Sequence, residues 1–118
     1  MSEQLPIIDW EQHAQASNLS EDMSRELLIL FIQQLPELKI KLQQAFAHKD
    51  AEALHGTLHR LQGACAYCGL PRLRSVIVSI NHELKLSGEF TTKQYEILMH
   101  EITIVKEELT KHGITAML

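Results

Sequence analysis

The side chains best suited to chemistry lie between residues 52 and 68: His55, His59, Cys65 and Cys68, with Arg60 and Gln62 among them. A free imidazole titrates at about 6.5, so near neutral pH it offers an uncharged ring nitrogen. Histidine is one of the side chains that form covalent intermediates through such a nitrogen. His55 and His59 are four residues apart, a spacing that on a helix also suits two zinc ligands. Cys65-x-x-Cys68 has the spacing of a metal clasp or of a redox pair.

Rotation about a helix axis separates these readings. At roughly 100° per residue, Glu52, His55, Gly56, Gln62, Gly63 and Ala66 all fall within roughly 60° of His59. Leu54, Leu58, Leu61, Cys65 and Cys68 recur at four, three, four and three, a core stripe centred roughly 140° away by the same geometry. The cysteines and the two histidines therefore cannot share one ion. Two ligands fall short of the four that a structural zinc site takes, and His13, His48, His82, His100 and His112 show no companion spacing. No metal site is expected. A thioredoxin-like role for the thiols needs a βαβ setting, and free cysteine is common in cores. What stands out is the outward face. Gly56 and Gly63 flank His59 a turn either way, and each costs a helix about 1 kcal/mol relative to alanine. Either a bulky partner must approach the imidazole, or a neighbouring helix packs closely there. The leucines already occupy the packing side, which favours the open imidazole.

The elements that must position this face are all helical. Asp9 can cap a short helix through about Ala14, with Trp10 tucked inward. Ser20, followed by Glu21 and Asp22, is a good N-cap signal. Met23, Leu27, Leu30, Phe31 and Leu35 then mark one helix face. Pro36 demands a kink or break, and Leu38, Leu42, Ala45 and Phe46 resume the pattern, as two stacked helices or one bent one. Asp50 can cap a helix over 51–67, and Gly69 fits the left-handed position after it. Pro71 opens the next helix, with Leu70, Leu73, Ile77, Ile80 and Leu84 inward. Gly88 ends it. Thr91 and Gln94 form a capping-box pattern ahead of Tyr95, Leu98, Met99, Ile102, Val105 and Leu109, and Gly113 closes that helix. Short connections make neighbours antiparallel, so the expected fold is all-α: an up-down four-helix bundle with a short extra N-terminal helix. Tyr67 and Trp10 read as packing residues, and Arg72 and Arg74 as a solvated face.

The chain has 118 residues, 45% of them hydrophobic, and a formal charge of -4. Such a length is expected to make one domain over 1–118, with a core over about 8–112. The acidic balance argues against a nucleic-acid footprint. The longest apolar run, Leu27 to Ile32, is too short to span a bilayer, and no secretion signal opens the sequence. A soluble protein of the reducing cytoplasm is the expectation. The sequence has no Gly-rich nucleotide loop, no Walker motif and no evident Mg²⁺ cage, so the chain is not expected to handle ATP alone.

The stretch His59-Arg60-Leu61-Gln62-Gly63-Ala64-Cys65-Ala66-Tyr67-Cys68-Gly69-Leu70 resembles the signature of histidine-containing phosphotransfer (HPt) domains of bacterial phosphorelays. His59, Leu61, Gly63, Ala64, Cys65 and Gly69 stand in that signature's places. Leu35-Pro36-Glu37-Leu38 and Asp50-Ala51-Glu52-Ala53-Leu54 fit the family's layout ahead of the motif, and the likeness runs over about 8–109. The wording of Cys65 to Leu73 is most similar to the C-terminal domain of BarA/GacS-type hybrid sensor kinases. The resemblance implies that His59 is the phosphorylated residue, taking a phosphoryl group from the phosphoaspartate of one response-regulator receiver domain and passing it to another. It implies support of the phosphoryl site by Gln62 and Gly63, and a docking face that includes His55, Gly56, Arg60 and Ala66. It also implies no cofactor of the chain's own, since the receiver supplies Mg²⁺. The chain would be a phosphocarrier rather than an enzyme, a monomer without direct membrane contact, though the parent kinase can sit in the inner membrane. The family usually has lysine where this chain has Gln62, whose amide donates hydrogen bonds without charge assistance. The rival from another class is a plain docking bundle in which His59 is incidental.

Overall fold

A computed structural model describes residues 5–10 and 21–114, the first four residues of that second stretch by their backbone alone. Among the described residues four helices run in order: α1 (Glu21–Ala47), α2 (Ala51–Cys68), α3 (Pro71–Ser87) and α4 (Thr92–Lys111). Each packs on its neighbour in the chain, and α1 also meets α4, which gives the expected all-α up-down bundle. The short helix expected through Ala14 lies outside the described residues.

Local chemistry sets the helix ends around the site. Asp50 accepts the Ala53 N–H at 3.0 Å through Oδ1 and starts α2, satisfying one of the donors that a helix start leaves without an intrahelical acceptor. Gly69 ends α2 with φ 69°, a left-handed conformation that costs glycine no Cβ clash. Pro71 begins α3 at once, where its missing N–H forfeits nothing. Thr91 and Gln94 complete a reciprocal capping box on α4: Gln94 N–H donates to Thr91 Oγ1 at 3.1 Å, and Thr91 N–H to Gln94 Oε1 at 2.9 Å.

The core draws on one stripe of each helix. Leu28, Phe31, Ile32, Leu35, Leu42 and Ala45 come from α1, facing the leucines and cysteines of α2, with Leu73, Ile77, Ile80 and Leu84 from α3 and Leu98, Ile102, Val105 and Leu109 from α4. On α1 this corrects the sequence reading. Leu28 and Ile32 are buried, whereas Leu27 is only half-buried and Leu30 is 50% exposed. An apolar run from Leu27 to Ile32 covers every side of a helix turn, so its own periodicity could not choose the buried side. Of the two forms left open at Pro36, α1 takes the single helix. Pro36 lies on the exposed side, where water can reach the carbonyl that loses its intrahelical donor.

Two aromatic expectations are also corrected. Trp10 is 43% exposed rather than tucked inward, its ring edge-on to His112 at 5.0 Å. Ile8 takes the buried place instead, and the Asp9 N–H donates to the Gly69 carbonyl at 2.8 Å, tying this segment to the α2–α3 turn. Tyr67 is 48% exposed: it lies off the α2 core stripe, one residue before Cys68.

Candidate functional site

The site stands on α2, whose inward face is closed and whose outward face is open. Leu58, Leu61 and Cys65 are fully buried, and Leu54 and Cys68 nearly so. One position on from Leu58, His59 is exposed, as the rotation of the helix requires. A Cβ built on Gly56 or on Gly63 would meet no atom within 4 Å. No neighbouring helix therefore explains either glycine. The pair leaves a shallow bare strip on both sides of the imidazole, and a flat partner surface can come close to the ring nitrogens. Among the described residues, no hydrogen bond or ion pair ties the His59 ring down.

His55, one turn before, is half-buried. Its ring lies 6.3 Å from that of His59, the planes 25° apart. Its Nδ1 is 2.8 Å from Oδ1 of Asn81 on α3. Asn81 is buried at 5% exposure. Sequence reasoning missed it, because a contact between residues 26 apart leaves no mark on local periodicity. Gln62 and Ala66 are half-buried on the same side of α2, and Gly63 is exposed. Arg60 is exposed but turned another way, lining a groove of about 480 Å³ between α1 and α2 with Lys41, His48 and Gly56. The structure thus brings His55, Gly56, His59 and Gly63 to one open face and sets Arg60 at its α1 margin.

Arg72 is not the solvated side chain that the sequence suggested. It is 18% exposed and grips buried Glu101 of α4 with two hydrogen bonds, 2.9 Å from Nε and 3.1 Å from Nη2. A carboxylate buried on α4 needs such a partner. Arg74 remains exposed.

The cysteines belong to the core. Burial is the main cause that pushes the Cys65 thiol far above its usual range; the neighbouring Cys68 adds to the rise and Arg74 opposes it. Burial raises the Cys68 thiol to about 11. Thiolate, the reactive and metal-binding form, is therefore suppressed at both. Among the described residues, no three histidine, cysteine or acidic side chains converge as a metal cage, and no helix is long and apolar enough to cross a membrane.

Known proteins resemble this chain over most of its length. Residues 26–110 match the family model of the Hpt domain. The chain is 26% identical over 106 residues to the signal transduction histidine-protein kinase BarA of Shigella flexneri and to that of Escherichia coli K12, and 29% identical over 85 residues to the sensor protein GacS of Pseudomonas syringae. These stretches cover 88%, 88% and 72% of this chain but only 12%, 12% and 9% of those proteins. The chain is also similar to the crystal structure of the HPT domain of a hybrid sensor histidine kinase from Shewanella. That likeness has a TM-score of 0.73 and 27% identity, over 89% of this chain and 95% of the other.

Proposed function

The chain belongs to the Hpt domain family, phosphorelay intermediates of two-component signalling, and from that premise we propose that His59 is the residue that carries the phosphoryl group. The supporting observation is an exposed imidazole between two glycines whose Cβ positions face empty space.

In this reading an uncharged ring nitrogen of His59 attacks the phosphorus of a receiver's aspartyl phosphate. An N–P bond forms as the bond from phosphorus to the carboxylate oxygen breaks, and the aspartate leaves as its carboxylate; transfer to the next receiver is the same exchange reversed. Such transfer depends on in-line positioning and on neutralising the charge of the equatorial oxygens. The receiver brings Mg²⁺ and the groups that hold it. This domain supplies a nucleophile held at a set height on a rigid helix. The amide of Gln62 is a hydrogen-bond donor for a phosphoryl oxygen, Gly63 leaves room for it, and His55, Gly56, Arg60 and Ala66 form the face on which the receiver docks.

The chain acts as a carrier without ATP chemistry of its own, as one domain over 1–118. It works as the monomeric cytoplasmic part of a longer sensor-kinase chain, with no membrane contact of its own. The test is incubation with a phosphorylated receiver domain and Mg²⁺. Label should appear on His59 and be lost in His59→Gln with the helical fold intact. A folded wild-type domain that takes no label, or a His59→Gln variant that still takes it, overturns the reading and leaves a docking bundle with an incidental histidine.

A further inference from the structure

A phosphoryl group near neutral pH brings a charge of about −2 and three strong acceptor oxygens. On the open face of α2, the residues within a turn of His59 are His55, Gly56, Gln62 and Gly63. Of these only His55 can carry positive charge. Arg60 lies in the α1 groove beside Lys41, about 100° around the helix.

His55 is also held in a particular way. The Asn81 oxygen 2.8 Å from its Nδ1 only accepts hydrogen bonds, so Nδ1 carries the hydrogen and donates it. The other nitrogen, Nε2, lies across the ring from Asn81. Its lone pair is then free to take a second proton from water and to donate it to a phosphoryl oxygen on the neighbouring ring. Asn81 is a polar side chain among the buried residues Ile77, Ile80 and Leu84 of α3, and a buried amide oxygen needs a donor. The pair therefore fixes both the tautomer and the direction of His55.

We propose that His55 is the charge partner of the phosphoryl group on His59, protonated at Nε2 while that group is in place, and that Asn81 is the positioning residue that aims it. The proposal rests on the reading of His59 as the phosphoryl carrier. No bond to phosphorus is made or broken by His55; loading shifts its ring toward the protonated form by uptake from solvent, and unloading reverses the shift.

The titratable groups of the two helices packed against α2 leave His55 hydrogen-bonded to Asn81 alone among the described residues. On α3 these include Arg74, His82, Glu83 and Lys85, and at the α1 groove Lys41 and His48, with Glu52, His59 and Arg60 on α2 itself. Lys41 pairs with Glu37, His48 bonds the Gln44 carbonyl, and Glu83 accepts from Gln94. None is hydrogen-bonded to or ion-paired with His55 among the described residues.

The experiment follows the His55 imidazole by nitrogen-15 NMR across about pH 5.5 to 8, the range in which histidines titrate, before and after His59 is loaded by phosphorylated receiver. Loading should raise the proton affinity of His55 about tenfold, in line with a nearby opposite charge. At each pH, His55→Gln should hold about tenfold less phosphoryl at equilibrium with the receiver than His55→Lys, whose charge does not titrate in this range. The wild type should match the lysine variant at low pH and approach the glutamine variant at high pH. Comparing variants at one pH removes the opposing effect of protonating unloaded His59. Asn81→Ala should weaken the response of His55 to loading. If His59 loads while the titration of His55 stays put, or if the glutamine and lysine variants hold equal phosphoryl, the inference falls and the carrier reading stands. If folded protein takes no phosphoryl group at all, both fall.

Discussion

The two faces of α2 share one backbone and differ in everything that side chains decide. Inward, Leu54, Leu58, Leu61, Cys65 and Cys68 are at most 4% exposed, and burial keeps both thiols protonated. Outward, His59 stands in the open beside two glycines at which an added Cβ would meet nothing within 4 Å. Volume is what counts on the first face, and emptiness on the second. Packing of an amphipathic face supplies most helix stability in proteins, so α2 tolerates two residues that each cost about 1 kcal/mol in propensity. The contrast also sorts the nucleophiles: the intrinsically stronger ones, the thiols, are sealed and neutral, and the imidazole is left available.

Adjacent positions offer the sharpest way to break this contrast. Leu58→Ala should destabilise the domain by about 2–5 kcal/mol, the range for emptying a packed core site. His59→Gln should stay within about 0.5 kcal/mol of wild type, as an exposed change does. Urea unfolding measures both, and phosphoryl acceptance should rank them the other way. Comparable destabilisation at 58 and 59 would show that the outer face is not free. A second contrast comes from alkali. The folded state holds the Cys68 proton up to about 11, above the ordinary thiol value of 9.0, so between those values the unfolded chain binds fewer protons. Stability present below pH 9 is therefore lost as pH rises through about 11. Cys68→Ala should flatten that decline in urea melts run from pH 8 to 11. An unchanged slope would place the sensitivity elsewhere.

Sequence carried the local part of this structure. Caps at Asp50, Gly69, Pro71 and Thr91 depend on residues within a few positions of each other, and the α2 stripe is a clean alternation of threes and fours, so both were legible. The rotation that separated His59 from Leu58 needed nothing more. What stayed hidden was non-local. Arg72 and Glu101 are 29 residues apart and His55 and Asn81 26 apart, and nothing in a helical repeat announces such partners. The α1 core was ambiguous for a different reason: six consecutive apolar residues leave the choice of Leu28 over Leu30 to whichever face α2 and α4 cover. Trp10 was misplaced because its size suggested the interior, while Ile8 and the hydrogen bond from Asp9 to Gly69 determine how that segment meets the bundle.

The finest test lies in the glycines, because there stability and transfer should part company in a single residue. Gly56→Ala and Gly63→Ala each add a Cβ into open space, so each should stabilise α2 by about 1 kcal/mol through propensity alone. A glycine kept for helix packing would do the reverse, since the methyl group would have to displace a neighbour. Transfer from a phosphorylated receiver responds to bulk above the surface. Gly63→Ala, which adds one carbon, should slow it little, whereas Gly63→Leu should slow it about tenfold without unfolding the bundle, a barrier increase of about 1.4 kcal/mol. A leucine variant that transfers at the wild-type rate would remove close approach as the reason for a bare face. Alanine variants that lose stability would restore the packing explanation that the empty surroundings of Gly56 and Gly63 now exclude.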